Sequence, residues 1–300
     1  MRRTLLEIPI PFLHTSLPIY SYGFMLMIAF LSGLYVARRL SAHHPLSGKA
    51  ASERIDPNII SDISIYTIIA AIVGARLFFV IQNFSDYRNN PLDIFKIYQG
   101  GLVFYGGLIA VTIALPVFAR LKRISFLKLM DIIVIATSLG LVFGRIGCFL
   151  NGCCYGKLSN LLWAVRFPKI VNAEGFIDGS PVFLHHYEQG LVKLTDAYSL
   201  HVHPTQLYSS LLDLGIFFIL YVFFSRRKWD GEVMMLFGML YAPVRFAVEL
   251  LRADNPHIIY GLTISQAISV VFFIVATCIF VAGRLKKSPH PIPPPHDMSS

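Results

Sequence analysis

LMDIIVIATSLGLVFGRIGCFLNGCCYG (129–156) is an apolar run about one bilayer deep that ends on an arginine, several glycines and three cysteines. A helix crossing the hydrocarbon needs about 20 mostly apolar residues, and 129–149 supplies them. Arg145 lies near the end of that run. A charge at the bilayer centre costs about 2.5–3.5 kcal/mol on insertion scales, so a charge retained there is usually paired or functional.

Six more windows of this kind follow outward along the chain: 19–37, 59–81, 101–119, 204–224, 232–251 and 264–282. The 300 residues are 55% hydrophobic and only 14% charged, where soluble domains carry about a quarter charged residues. Mean hydropathy is +0.61. An all-α integral membrane protein with seven spans is expected. The net charge of +9 fits positive cytoplasmic loops better than nucleic-acid binding, and no nucleic-acid partner is expected. In MRRTLLEIPIPFLHTS (1–16), Glu7, Pro9 and Pro11 interrupt any signal-peptide core, and no small-residue cleavage site follows. This stretch reads as a short mature segment.

Fourteen lysines and arginines gather at 38–54, 120–128, 226–228 and 284–287, against nine spread over the longer connections of the other side. The denser side is expected to be cytoplasmic, with the N-terminus outside and the C-terminus inside. The longest connection, about 150–203, is then expected to form a small external head between the fourth and fifth spans. Residues 1–285 read as one membrane domain, and the Pro-rich 286–300 as a disordered cytoplasmic tail.

This topology sets depths. Arg76 and Arg145 fall about one turn below the outer surface, and Arg245 falls under two turns below it, with Glu249 at the rim. Tyr22 and Tyr105 lie one turn deep, and His203 opens the fifth span. Arginine near a helix end also reaches the interface by snorkelling, and Arg76 fits either reading. Arg145 and Arg245 together suggest a site for an anionic ligand, because guanidinium grips phosphate bidentately and stays charged. Phospholipid head groups are the anions found at that depth. Glu249, four residues after Arg245 and three before Arg252, shares their helical face and is expected to hold one or both arginines. Pro243 is expected to kink that helix. Asp62, Asp131 and Asp213 fall away from the outer cluster and read as structural.

Cys148, Cys153 and Cys154 are spaced CxxxxCC, without the paired CxxC of zinc sites. No metal is expected. Packing at a crowded turn and a disulfide both remain open, since the outer side is oxidising.

Several stretches together resemble the bacterial phosphatidylglycerol–prolipoprotein diacylglyceryl transferase family. GRIGCFLNGCCYG (144–156) looks like the family signature through Gly144, Arg145, Gly147, Phe149, Asn151, Gly152 and Gly156. GGLVFYGGLIAV (100–111), HPTQLY (203–208), YAPVRFAVELLR (241–252), YSYGFMLMIAF (20–30) and GARLFFVIQNF (74–84) match in order along nearly the whole chain. The chain departs from the family at Tyr105, where many members have histidine. It also departs at Cys148 and Cys153, where asparagine and glutamate are common, and at Ser209, where glutamate is frequent.

The resemblance implies transfer of a diacylglyceryl group from phosphatidylglycerol to the lipobox cysteine of a prolipoprotein signal peptide, in the bacterial inner membrane and without a cofactor. Arg145 and Arg245 are then expected to stabilise the leaving phosphate. The base is His203, whose residue type titrates near 6.5, or Tyr105, which holds the family position. Tyr22, Arg76, Asn151, Gly156, Tyr241, Glu249 and Arg252 are expected to bind the substrate among the membrane lipids. Two other classes compete: a binding or transport protein for anionic lipid, and a thiol oxidoreductase using Cys148, Cys153 and Cys154.

Overall fold

The computed structural model describes residues 4–10, 15–43, 55–88, 91–96, 100–171, 180–255 and 261–286. Among these, seven helices are long and apolar enough to cross a membrane: α1 (Ser21–His43), α2 (Pro57–Gln82), α4 (Phe104–Leu121), α5 (Phe126–Asn151), α7 (Thr205–Phe224), α8 (Glu232–Leu250) and α9 (Ile264–Lys286). Each coincides with an expected window to within a few residues. Two short helices, α3 (Phe84–Tyr87) and α6 (Pro181–Glu188), lie in connections. The chain is a multi-pass membrane protein. Residues 287–300 of the expected tail lie outside the described residues, and α9 runs on to Lys286.

The segment before α1 differs from expectation. Thr4–Ile10 (β1) and Thr15–Tyr20 (β2) pair as an antiparallel hairpin, with Ile10 opposite Thr15 and Thr4 opposite Tyr20. Alternation in so short a stretch, interrupted by prolines, gave no strand signal.

The spans pack mainly as α1 on α5, α2 on α4, α5 on α7 and α8 on α9. The α2–α4 contact depends on small residues. A Cβ on Gly74 would stand 2.6 Å from the Gly106 carbonyl oxygen, and one on Gly106 would stand 2.4 Å from that of Gly74. Only glycine permits this approach, as in close-packed membrane helices. The GxxxG pair in α5 is different: a Cβ on Gly144 would meet nothing within 4 Å, and one on Gly140 only the Ala29 carbonyl at 3.9 Å.

Polar groups at the end of the bundle opposite 152–204 have defined structural roles. Asp131 of α5 is fully buried. It accepts the backbone N–H groups of Gly231 at 2.8 Å and Met234 at 2.9 Å, so it caps α8 from a neighbouring helix and satisfies otherwise orphaned donors. Glu232 is paired with Arg284 of α9. Asp62 of α2 is 3.2 Å from Lys122 at the end of α4. Around them Leu129, Ile135, Leu220 and Val233 form a tight core. Large apolar side chains such as Val73, Ile113 and Val271 face outward, as lipid-facing surfaces require.

Residues 152–171 and 180–204 build a small unit of their own. Tyr155, Phe167, Val182 and Val202 form its core, with Phe149 of α5 packed beneath. Single bridges join Leu158 and Val165 to Val202, and Pro168 to Tyr198.

Candidate functional site

Arg145 of α5 and Arg245 of α8 line one cavity, together with Ser209 and Asp213 of α7 and Tyr241, Val244 and Val248 of α8. The cavity is narrow, about 10 Å³, which is room for about one water molecule. Arg245 is fixed by α8 and α9: Nη1 lies 2.7 Å from Glu249 Oε2, and Nη2 donates to Ser265 Oγ at 2.9 Å. By contrast, the Arg145 Nε is buried without a hydrogen-bond partner.

Glu249 is almost wholly buried and holds more than one group. Besides Arg245 it faces Arg252 Nη1 at 3.8 Å. Its Oε1 accepts from Thr263 Oγ1 at 3.0 Å and from Asn255 Nδ2. Arg252 also forms a two-pronged pair with Asp254, at 2.9 and 2.8 Å. Tyr241 stacks on Phe237, ring centroids 5.2 Å apart. The helix runs unbroken from Glu232 to Leu250 through Pro243.

Gly156 joins three segments. Its N–H donates to the His203 carbonyl at 3.0 Å, His203 N–H returns to Lys157 O at 3.0 Å, and Lys157 N–H reaches Leu251 O at 2.7 Å. A Cβ on Gly156 would stand 2.6 Å from His203 Cβ and 2.9 Å from two carbonyl oxygens, so its contribution is close approach. His203 Nδ1 lies 3.4 Å from the Tyr208 hydroxyl, which accepts from Trp163 Nε1 at 2.7 Å.

The structure thus brings Arg145, Arg245, Tyr241, Glu249 and Arg252 into one neighbourhood, with His203 and Gly156 at its rim. Tyr22 packs against α5 at Gly147, where a Cβ would meet the Tyr22 ring at 3.1 Å. Two expected residues lie elsewhere. Tyr105 is 65% exposed at the start of α4, edge-on to Phe104. Arg76 is buried and its donors go to backbone carbonyls: Ile94 at 2.8 Å, Asp93 at 2.8 Å, Gly100 at 2.9 Å and Gly101 at 3.2 Å. Phe79 and Tyr87 flank its guanidinium. Arg76 here orders a loop.

Asp213 corrects the sequence reading, which placed it away from the arginines. It lies eight residues into α7, about 12 Å of rise, and lines the same cavity as Arg145 and Arg245. Thr205, Ser209 and Asp213 recur every four residues along α7, and that stripe is the available sequence signal. Ser265 of α9 carries no such signal.

Asn151 ends α5 before Gly152, which turns the chain at φ 77°. The Gly152 N–H bonds to Cys148 O and Phe149 O, and Cys153 N–H to Cys148 O at 3.2 Å. This left-handed termination folds the sixth residue back over the first, so Cys153 meets Cys148. The Cys148, Cys153 and Cys154 sulfurs all lie within 4.8 Å of one another, and all three residues are free thiols. The Cys154 thiol is pushed down by its Cys148 and Cys153 neighbours, then by Arg252 and Arg145.

The fold and site define a multi-pass membrane protein with two guanidiniums in a narrow cavity near one end of its bundle. The family model described as prolipoprotein diacylglyceryl transferase matches residues 9–282. Similar curated proteins include the phosphatidylglycerol–prolipoprotein diacylglyceryl transferase of Finegoldia magna, 35% identical over 86% of this chain and 88% of its own length. The protein of that name from Neisseria meningitidis serogroup B is 34% identical, over 89% of this chain and 90% of its own. The one from Nitratidesulfovibrio vulgaris is 33% identical, over 88% and 89%. The chain belongs to the prolipoprotein diacylglyceryl transferase family. With its seven apolar helices, that membership makes it a multi-pass protein of the bacterial inner membrane.

Proposed function

We propose that this protein transfers the diacylglyceryl group of phosphatidylglycerol to the cysteine thiol of a prolipoprotein. Residues 1–285 act as one transferase unit whose site opens toward the outer face, beneath the 152–204 head. The thiolate sulfur attacks the diacylglyceryl carbon whose ester oxygen is bonded to phosphorus. A carbon–sulfur bond forms, the carbon–oxygen bond breaks, glycerol phosphate leaves with the electron pair, and the thiol proton passes to a base.

The observation that carries this reading is the shared cavity of Arg145 and Arg245, in which the Arg145 Nε is buried and unpartnered. Charge grows on the phosphate oxygen as the ester breaks, and prepositioned cations lower that barrier. Glu249 and Ser265 hold Arg245 in place, which leaves Arg145 as the more adaptable partner. A cavity of one-water size does not admit a head group, so Tyr241 and Arg145 side chains swing on entry. His203, at the rim, is the better placed base; Tyr105 sits on the outer surface of α4. The lipid-transport and thiol-oxidoreductase readings are not favoured by the family match.

Purified protein incubated with phosphatidylglycerol vesicles and a lipobox peptide is expected to add one diacylglyceryl mass to the peptide. No mass gain overturns the reading. Full activity in both Arg145→Ala and Arg245→Ala overturns the phosphate clamp.

A further inference from the structure

We propose that Cys148, Cys153 and Cys154 form a binding site for a soft d10 metal cation, with Zn²⁺ or Cu⁺ as the chemical class. Thiolates select such ions. Metal–sulfur bonds of about 2.3 Å set the sulfurs about 3.8–4.0 Å apart around a tetrahedral or trigonal ion. The three sulfurs already lie within 4.8 Å of one another, so less than about 1 Å of closure completes the set.

The backbone is built to hold them there. The left-handed turn at Gly152 returns Cys153 to Cys148, with the Cys153 sulfur 3.8 Å from the Cys148 carbonyl. Cys154 has φ 60°, a conformation that non-glycine residues rarely adopt and that persists where surroundings enforce it. The enforcing groups are on α7: Thr205 Oγ1 donates to the Cys154 carbonyl at 2.8 Å, and Gln206 Nε2 to that of Cys153 at 2.6 Å. Both side chains are about 1% exposed. Packing alone does not call for two buried donors fixing a strained thiol-bearing turn.

Binding displaces three thiol protons to solvent. The product is a tris-thiolate complex of charge −1 with Zn²⁺ or −2 with Cu⁺. Arg145 and Arg252, both in electrostatic reach of Cys154, offset that charge. Cys278, exposed on α9, takes no part.

The test uses the full-length protein, reduced, stripped of metal and kept in detergent. Cd²⁺ is titrated as a spectroscopic probe and then competed with Zn²⁺ and Cu⁺. A thiolate-to-metal band that saturates at one equivalent and is displaced by either competitor is expected. Each of Cys148→Ser, Cys153→Ser and Cys154→Ser weakens it at least about tenfold, the scale on which even outer partners of a metal act; Cys278→Ser leaves it intact. In the unmutated protein Zn²⁺ should shield the three cysteines, but not Cys278, from alkylation. No saturable band, alkylation unaffected by Zn²⁺, or an intact mass showing two of the three thiols joined as a disulfide after reduction would each overturn the proposal.

Discussion

Glu249 stands between Arg245 of its own helix and Arg252 just past the helix end, at 2.7 Å and 3.8 Å, with its side chain shut off from solvent. Breaking a buried pair from one side leaves an uncompensated charge and costs about 3–5 kcal/mol. Glu249→Gln is therefore expected to lower both the unfolding temperature and transferase activity. A variant with unchanged thermal unfolding in detergent would show that Glu249 does not anchor Arg245.

Arg145→Lys keeps the charge but loses the planar fork. Because the proposed contact strengthens as the phosphate leaves, kcat should fall more than KM rises. The drop expected is about 10²–10³-fold, the range seen on deleting one donor to a developing oxyanion. Steady-state kinetics with phosphatidylglycerol vesicles separates the two parameters.

Removing Arg76 should act on a loop. Arg76→Ala strips four carbonyls of a charged donor, each such bond contributing about 1.5–3 kcal/mol. Faster amide exchange across 92–96 and 100–103 is expected, with KM for phosphatidylglycerol little changed. A large rise in KM without faster exchange would instead assign Arg76 to the lipid.

Asp213 lines the cavity of Arg145 and Arg245, in which Arg245 is already paired with Glu249. Asp213→Asn raises the positive potential of the cavity, so the KM for the anionic lipid should fall while the lipid-free protein loses stability. A higher KM would mean that Asp213 does something other than balance charge.

His186 of the head is buried, and its Nδ1 accepts the Leu200 N–H at 3.3 Å, which requires the neutral ring. Burial, then His185, lowers its pKa from 6.5. The unfolded chain therefore takes up the proton first as pH falls. Head stability is full above about pH 7 and declines as pH drops through 6.5 toward the lower folded value. His186→Asn offers an acceptor that does not titrate, and should flatten the pH dependence of the amide protection factors, exchange relative to the intrinsic rate, in 180–204.

The membrane spans were legible because hydrocarbon permits few solutions: a long apolar run with its backbone bonded internally must be a helix. The pairing of Arg145, Arg245 and Glu249 was legible for a related reason, since charge at that depth needs company and helical spacing says where it is found. What escaped was lateral placement. Depth alone put Arg76 level with Arg145, yet α2 packs on α4 and delivers it to 93–101. Asp213 was placed away from the outer cluster, yet it lines the same cavity as both arginines. Three cysteines at CxxxxCC gave no metal pattern because their convergence depends on a left-handed turn at Gly152 and a strained Cys154, and neither leaves a spacing rule in the sequence.

The capping contact between Asp131 and Gly231 also works as a caliper. From Asp131 to Arg145 on α5, and from Gly231 to Arg245 on α8, the chain advances fourteen residues in each case. At about 1.5 Å per residue these are two arms of about 21 Å, joined where the carboxylate grips the α8 N-terminus. Equal arms from a common hinge bring their tips level, so the height match of the two guanidiniums is gauged from the far side of the membrane.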